Sequence, residues 1–181
     1  MKILNASKNC EVITPRTSIT GVFRKSVEIW EDLCNGTDVP VWKVDHLFLF
    51  PARLVPYANV TRWEPKDGDY RFLFWGSGRT DMMKFDYTSQ PLKALQPTVY
   101  ADLVRSELNE VLGLAKPVKS SAEVLLSDGS STQVDKVRLP FADETGTVNT
   151  VLSIDDVKQF LNRYYLSWVR ADRREMESTD C

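Results

Sequence analysis

Three turn sequences divide the stretch from residue 58 to residue 154, and they constrain the fold more than any other feature of the chain. They are KDG at 66–68, SDG at 127–129 and DETG at 143–146. Gly and Asp suit the positive φ angles of tight hairpin turns, so each turn predicts a pair of antiparallel strands. The five predicted strands are 58–63, 70–75, 118–126, 132–141 and 148–154.

A helical insert of about 40 residues separates the second predicted strand from the third. Its clearest helix is predicted over 98–112, where apolar residues recur at helical spacing up to Gly113. Shorter helical turns are predicted over 79–85 and 91–95. Two strands, a helical crossover and a three-stranded meander are typical of an α+β fold, in which one five-stranded antiparallel sheet packs its inner face on the insert.

Flanking elements are predicted on both sides of the sheet. Residues 21–34 have the apolar period of a helix, and a second amphipathic helix is predicted from Asp155 to about residue 175. The run Val44–Leu49 fits either a strand or a short helix. The predicted organisation is a disordered arm over 1–20, a flanking helix and linker over 21–44, the sheet domain over 45–155, and an amphipathic helix with a tail over 156–181.

Composition excludes several classes of protein. The 181 residues carry 23 basic and 25 acidic side chains, which is the balance of one globular domain rather than of a nucleic-acid binder. No apolar run is long enough for a signal peptide or a membrane span. Three cysteines at wide spacing form neither a disulfide framework nor a zinc site, so we expect a reducing, cytoplasmic setting.

No motif points to catalysis or to a metal. Gly76-Ser77-Gly78 lacks the remaining residues of a phosphate-binding loop, and a glycine pair at the end of a strand is explained by a sharp exit of the chain. His46 is the sole histidine, and no serine lies in a nucleophile elbow. The sequence therefore predicts no catalytic residue and no metal ligand.

Aromatic and other large apolar side chains crowd the first predicted hairpin and the insert. Most of them are expected in the core, although such side chains can also wall a small-molecule cavity. Strand parity places Phe72 and Phe74 on one face. The predicted ligand-binding residues are Phe72, Phe74, Met82, Phe85, Tyr87, Tyr100, Leu103, Val124, Leu139 and Leu152.

Three stretches within residues 45–155 resemble a PAS domain, of the kind found in bacterial proteins with little more than one such domain. They are YRFLFWGS at 70–77, the segment 81–95 with TSQPL, and VRLPFADETG at 137–146 followed by 148–154. The chain departs from the family at Leu73, where an arginine is common. It lacks both the cysteine motif of the photoreceptor branch and a histidine in the insert, which argues against flavin and haem as cofactors.

The resemblance implies a non-catalytic sensory or interaction module of bacterial signalling. A small molecule or a protein partner would change the packing of the insert, and the flanking helices would relay the change. The stripe on the last predicted helix could support a homodimer or dock on the chain's own sheet. Its members are Val157, Phe160, Leu161, Tyr164 and Trp168.

Two other classes of function stay open at this point. One is a small enzyme with a polar cluster in the same cavity, and the other is a structural adaptor with a filled core. The residues considered for the enzyme are Arg71, Asp81, Tyr87 and Arg138.

Overall fold

The computed structural model describes residues 3–19, 21–126 and 131–156. Three α-helices and six strands form over these ranges, with short 3₁₀ helices between them. The strands are β1 (Ile3–Val12), β2 (Ala58–Glu64), β3 (Asp69–Trp75), β4 (Val118–Leu126), β5 (Ser131–Ala142) and β6 (Val148–Asp155). The helices are α1 (Gly21–Cys34), α2 (Ser77–Met83) and α3 (Thr98–Leu114), and the 3₁₀ helices are Val44–Leu49, Val55–Tyr57 and Leu92–Ala94.

All six strands form one antiparallel sheet in the order β1-β4-β5-β6-β2-β3. The hairpin β2–β3 and the meander β4–β6 are separated in sequence by α2 and α3, and β2 pairs with β6 to close the two parts into one sheet. This arrangement confirms the predicted α+β class, and the fold is PAS-like.

The sixth strand lies where a disordered arm was predicted, and that part of the prediction is wrong. β1 pairs with β4 along its length, from Ile3 opposite Leu126 to Val12 opposite Val118. Lys8 also bonds through Nζ to Glu110 of α3, at 2.6 Å. Strands were predicted from the alternation of apolar and polar residues, which this polar segment lacks. Backbone hydrogen bonds hold an edge strand in place, and they do not require that alternation.

The sheet carries a core on each face. The insert-side core, under α2 and α3, includes Phe72, Trp75 and Leu108. The α1-side core includes Trp30 of α1 and the β5 residue Phe141. Trp30 also donates from Nε1 to the carbonyl oxygen of Pro140 at 2.6 Å, which ties α1 to the middle of the sheet.

The two remaining flanking predictions have different outcomes. Val44–Leu49 is a 3₁₀ helix, which settles the choice between strand and helix. The predicted last helix lies outside the described residues, except that Asp155 belongs to β6 rather than to a helix start. In the described part of the chain, no helix is both long and apolar enough to cross a membrane.

Candidate functional site

A group of buried charged and hydroxyl side chains lies between the insert and the sheet. We call it the interior network, and its members are Arg79, Glu107, Ser120, Lys136, Arg138, Ser153 and Asp155. Each of these residues is at most 3% exposed. Because burying a charge without a partner is costly, the network must be satisfied internally for the domain to fold.

Glu107 of α3 forms the centre of the larger part of the network. Its carboxylate accepts hydrogen bonds from Ser120 and Arg138, and Lys136 Nζ lies 3.4 Å from Glu107 Oε2. Arg138 Nη1 also donates to Ser153 Oγ at 2.6 Å. One helix of the insert is thereby joined to β4, β5 and, through Arg138, β6.

The second part of the network is an ion pair between Arg79 of α2 and Asp155. Arg79 Nη1 also donates to the Tyr57 carbonyl oxygen at 3.3 Å, and its guanidinium carbon lies 4.3 Å from the centre of the Trp75 ring. Asp155 is the last residue of β6. This pair therefore links the insert to the point at which the chain leaves the sheet.

Close packing at Gly76 determines where Arg79 stands. Gly76 immediately precedes α2, and a Cβ atom built on it would lie 2.3 Å from the Pro56 carbonyl oxygen. Such a distance is too short for any side chain, so glycine lets the start of α2 approach the 3₁₀ helix Val55–Tyr57. The glycine pair at 76 and 78 thus has a packing role.

A cavity of about 10 Å³ lies at the interior network, enough for about one water molecule. Among the described residues, Trp75 Nε1, Arg138 Nε and Asp155 Oδ1 are buried without a protein hydrogen-bond partner. All three residues line the cavity, with Asn59, Phe72, Arg79, Leu95, Tyr100, Val104 and Lys136. The space is small and offers both donors and an acceptor.

The electrostatics of the network keep Glu107 ionised. Burial by itself would raise the pKa of Glu107, but the charges of Arg138 and Lys136, with hydrogen bonds from Ser120 and Arg138, outweigh it and lower the pKa to about 2. Burial likewise opposes the charge of Lys136, yet Glu107 raises the pKa of that ammonium above its usual value. Both groups are therefore charged at neutral pH.

The structure divides the predicted ligand-binding residues between the two faces of the sheet. Phe72, Met82, Tyr87 and Tyr100 are buried in the insert-side core, and Leu103 is partly buried against it. Of these, only Phe72 and Tyr100 line the cavity. Phe85 is 41% exposed, and the side chain of Val124 is outside the described part of the structure.

Phe74, Leu139 and Leu152 lie in the α1-side core, so their placement beside Phe72 was wrong. The cause in β3 is a bulge: Val60 faces Phe74 while the next residue, Thr61, faces Phe72, which leaves Leu73 as an extra residue. One inserted residue reverses the alternation of faces along a strand.

Most of the interior network escaped the sequence analysis, although a signal for it existed. Glu107 falls on the apolar stripe of α3, between Val104 and Leu108, where an acidic side chain must be buried. Lys136 and Arg138 lie on β5, a strand with neighbours on both sides and cores on both faces. Of the residues considered for an enzyme, Arg138 and Tyr87 are buried, Asp81 is exposed, and Arg71 is partly exposed in a pair with Asp67.

Comparison with known proteins finds similarity of structure only. No protein-family model and no curated protein matches the chain. An RNA-binding light-oxygen-voltage receptor superimposes with a TM-score of 0.44 and 10% identity, over 90% of this chain and 42% of the receptor, so this chain spans less than half of its length.

Two other solved structures are PAS domains. One, from a Colwellia psychrerythraea protein, has a TM-score of 0.38 and 15% identity over 55% of this chain and 85% of its own. The other is the PAS-B domain of the Drosophila melanogaster protein Cycle with bound glycerol. It has a TM-score of 0.36 and 16% identity over 54% of this chain and 97% of its own. All three TM-scores are below 0.5 and all three identities are below 20%.

Proposed function

We propose that this chain is a non-catalytic sensory module whose signal passes through the ion pair between Arg79 and Asp155. A small polar molecule or a protein partner changes how the insert packs on the sheet. The observation that carries the proposal is that this pair joins α2 to the last residue of β6. A change at the insert therefore acts directly on the segment that follows the sheet.

The chemistry of the interior network favours a polar occupant. Arg79, Lys136 and Arg138 are cationic, and Glu107 and Asp155 are anionic. A carboxylate or phosphate group would compete with Asp155 for Arg79, and an ammonium group would compete with Arg79 for Asp155. Because the cavity holds about one water molecule, a larger occupant needs the insert to move away from the sheet. Binding would then shift the population toward the open insert.

Catalysis by the interior network is disfavoured by its electrostatics. A buried carboxylate with a shifted pKa beside an arginine is the one feature that favours an enzyme, and Glu107 beside Arg138 has it. Its pKa of about 2 makes it a weak base and leaves it no proton to donate at neutral pH. Ser120, Lys136 and Arg138 also occupy its oxygens.

A second candidate function is a structural adaptor with a filled core, and the size of the cavity favours it. The two candidates differ in whether the protein retains a small molecule. Native mass spectrometry of protein purified from cells, followed by extraction, distinguishes them. A retained polar molecule supports sensing. An unloaded protein that also shows no shift with a library of small acids and amines supports the adaptor.

The relay is tested with hydrogen-exchange mass spectrometry of the full chain. Arg79→Gln removes the charge that holds Asp155, and we expect faster exchange in peptides that cover residues 148–156 at the end of β6. Arg79→Lys keeps the charge and should have a smaller effect. The matched control is Arg105→Gln, which breaks the pair between α3 and Asp69 of β3, 2.7 Å in length, without touching β6. Equal exchange in Arg79→Gln and Arg105→Gln would refute the relay.

Self-association through the last predicted helix stays a prediction, because that helix lies outside the described residues. Its stripe of Val157, Phe160, Leu161, Tyr164 and Trp168 can form a homodimer interface or contact the rest of its own molecule, and the two arrangements exclude each other. Sedimentation of the double variant Phe160→Glu with Trp168→Glu tests the homodimer. An unchanged mass with lowered stability would contradict it.

A further inference from the structure

The 3₁₀ helix Val44–Leu49 exposes three apolar side chains to solvent. Val44 is 66% exposed, Phe48 86% and Leu49 54%, whereas Leu47 of the same helix is buried in the α1-side core. We call these three side chains the connector patch. Three large apolar side chains are thus exposed within one helix of six residues, and exposed apolar side chains that lie together mark interaction sites.

The surroundings of the connector patch are acidic. Residues 28–46 contain five acidic side chains and one basic one, Lys43. α1 and the 3₁₀ helix cover neighbouring residues of β5, since Trp30 bonds to the Pro140 carbonyl oxygen and His46 lies 6.2 Å, ring to ring, from Phe141. The patch and the acidic end of α1 therefore share one side of the domain. An occupant of this surface needs apolar and basic side chains together.

Residues 157–174 of the same chain have this composition. They contain five basic side chains and one acidic side chain, Asp172, next to the apolar stripe that runs from Val157 to Trp168. The charge of this segment is thus opposite in sign to that of residues 28–46. Opposite charge selects a partner and its orientation, and the apolar contact supplies most of the affinity.

The end of the described chain lies within reach of the connector patch. β6 pairs with β2 so that Ile154 stands opposite Ala58, and Leu49 precedes Ala58 by nine residues. Nine residues span at most about 30 Å, while 18 residues in a helix extend for about 27 Å. Phe23, Val27 and Trp30 of α1 occupy part of the α1-side face of the sheet.

We propose that residues 157–174 dock on the connector patch of the same molecule, with their apolar stripe on Val44, Phe48 and Leu49 and their basic side chains toward the acidic end of α1. The docking does not require the sensory role proposed above. If both hold, the Arg79–Asp155 pair lies directly before the docked segment and controls its release.

Hydrogen-exchange mass spectrometry of the full chain tests the docking. Peptides from 157–174 should be protected in the native protein, and Phe48→Ser should raise their exchange by roughly tenfold or more, as expected for the loss of one buried aromatic contact. Val44→Ser should act in the same direction. The matched control Val99→Ser, on an exposed valine 45% accessible at the start of α3, should leave these peptides unchanged. In the reciprocal direction, Trp168→Ser should raise exchange in peptides from 42–50.

Three results would overturn the proposal. Fast exchange of 157–174 in the native protein means that the segment is undocked. Protection that survives Phe48→Ser means that it docks elsewhere. Protection that grows with protein concentration, together with a doubled mass in light scattering, means that a second copy occupies the patch. The relay is read from peptides that end at residue 156 and the docking from peptides that begin at residue 157, so the two proposals can fail separately.

Discussion

Neutralising Glu107 should destabilise the domain more than any other single change of charge among its described residues. Glu107→Gln preserves the shape of the side chain but leaves Lys136 and Arg138 buried without their counter-charge. Removal of one partner from a buried ion pair typically costs about 3–5 kcal/mol. We therefore expect the free energy of unfolding at pH 7 to fall by about this amount.

The pKa of Glu107 provides an independent figure for the same interaction. The folded state lowers it from 4.5 to about 2. At about 1.4 kcal/mol for each pKa unit, this difference corresponds to about 3.5 kcal/mol of stability. Because the folded pKa is depressed, that stability is fully present above pH 4.5 and is lost as the pH falls toward 2. The gap between wild type and Glu107→Gln should therefore be wide at pH 7 and much smaller at pH 3.

Urea unfolding followed by tryptophan fluorescence at both pH values measures these differences. Glu110→Gln is the matched control, one turn away on α3, where the carboxylate pairs with Lys8 at the surface. Exposed pairs contribute about 1 kcal/mol or less. If Glu107→Gln prevents folding at pH 7, the triple variant with Lys136→Met and Arg138→Met should restore it, because an apolar replacement leaves no buried charge without a partner. Equal effects of Glu107→Gln and Glu110→Gln would refute the description of the network.

The other predictions concern packing and alkaline pH. Gly76→Ala should lower the midpoint of urea unfolding because its Cβ would collide with the Pro56 carbonyl oxygen, whereas Gly113→Ala, on α3 with open space around it, should raise stability by about 0.5–1 kcal/mol. A stable Gly76→Ala variant would contradict the close packing of α2. Burial raises the pKa of Tyr70 to about 12, so its contribution to stability is present below pH 10 and is lost as the pH rises toward 12. Tyr70→Phe should remove part of that alkaline loss between pH 10 and 12, and an unchanged pH profile would show that Tyr70 ionises normally.

The sequence by itself determined the order and class of the elements from α1 to β6, because hairpin turns and helical periodicity are local signals. The turns at 66–68 and 143–146 led to the hairpins of β2–β3 and β5–β6, and the stripe of α3 ended at the predicted glycine to within one residue. Alternation along β4 and β5 also depends on neighbouring residues alone. The PAS-like layout was therefore visible before any coordinates.

Only the tertiary structure decided what fills the space between the insert and the sheet. Four charged side chains meet there from four different elements: Arg79 from α2, Glu107 from α3, Lys136 from β5 and Asp155 from β6. No pattern of neighbouring residues in the sequence predicts these contacts. A bulge of one residue moved Phe74 to the opposite face, and backbone pairing added β1 to a sheet edge. Each of these outcomes depends on contacts between segments distant in sequence, since pairing register and charge burial are properties of the assembled domain.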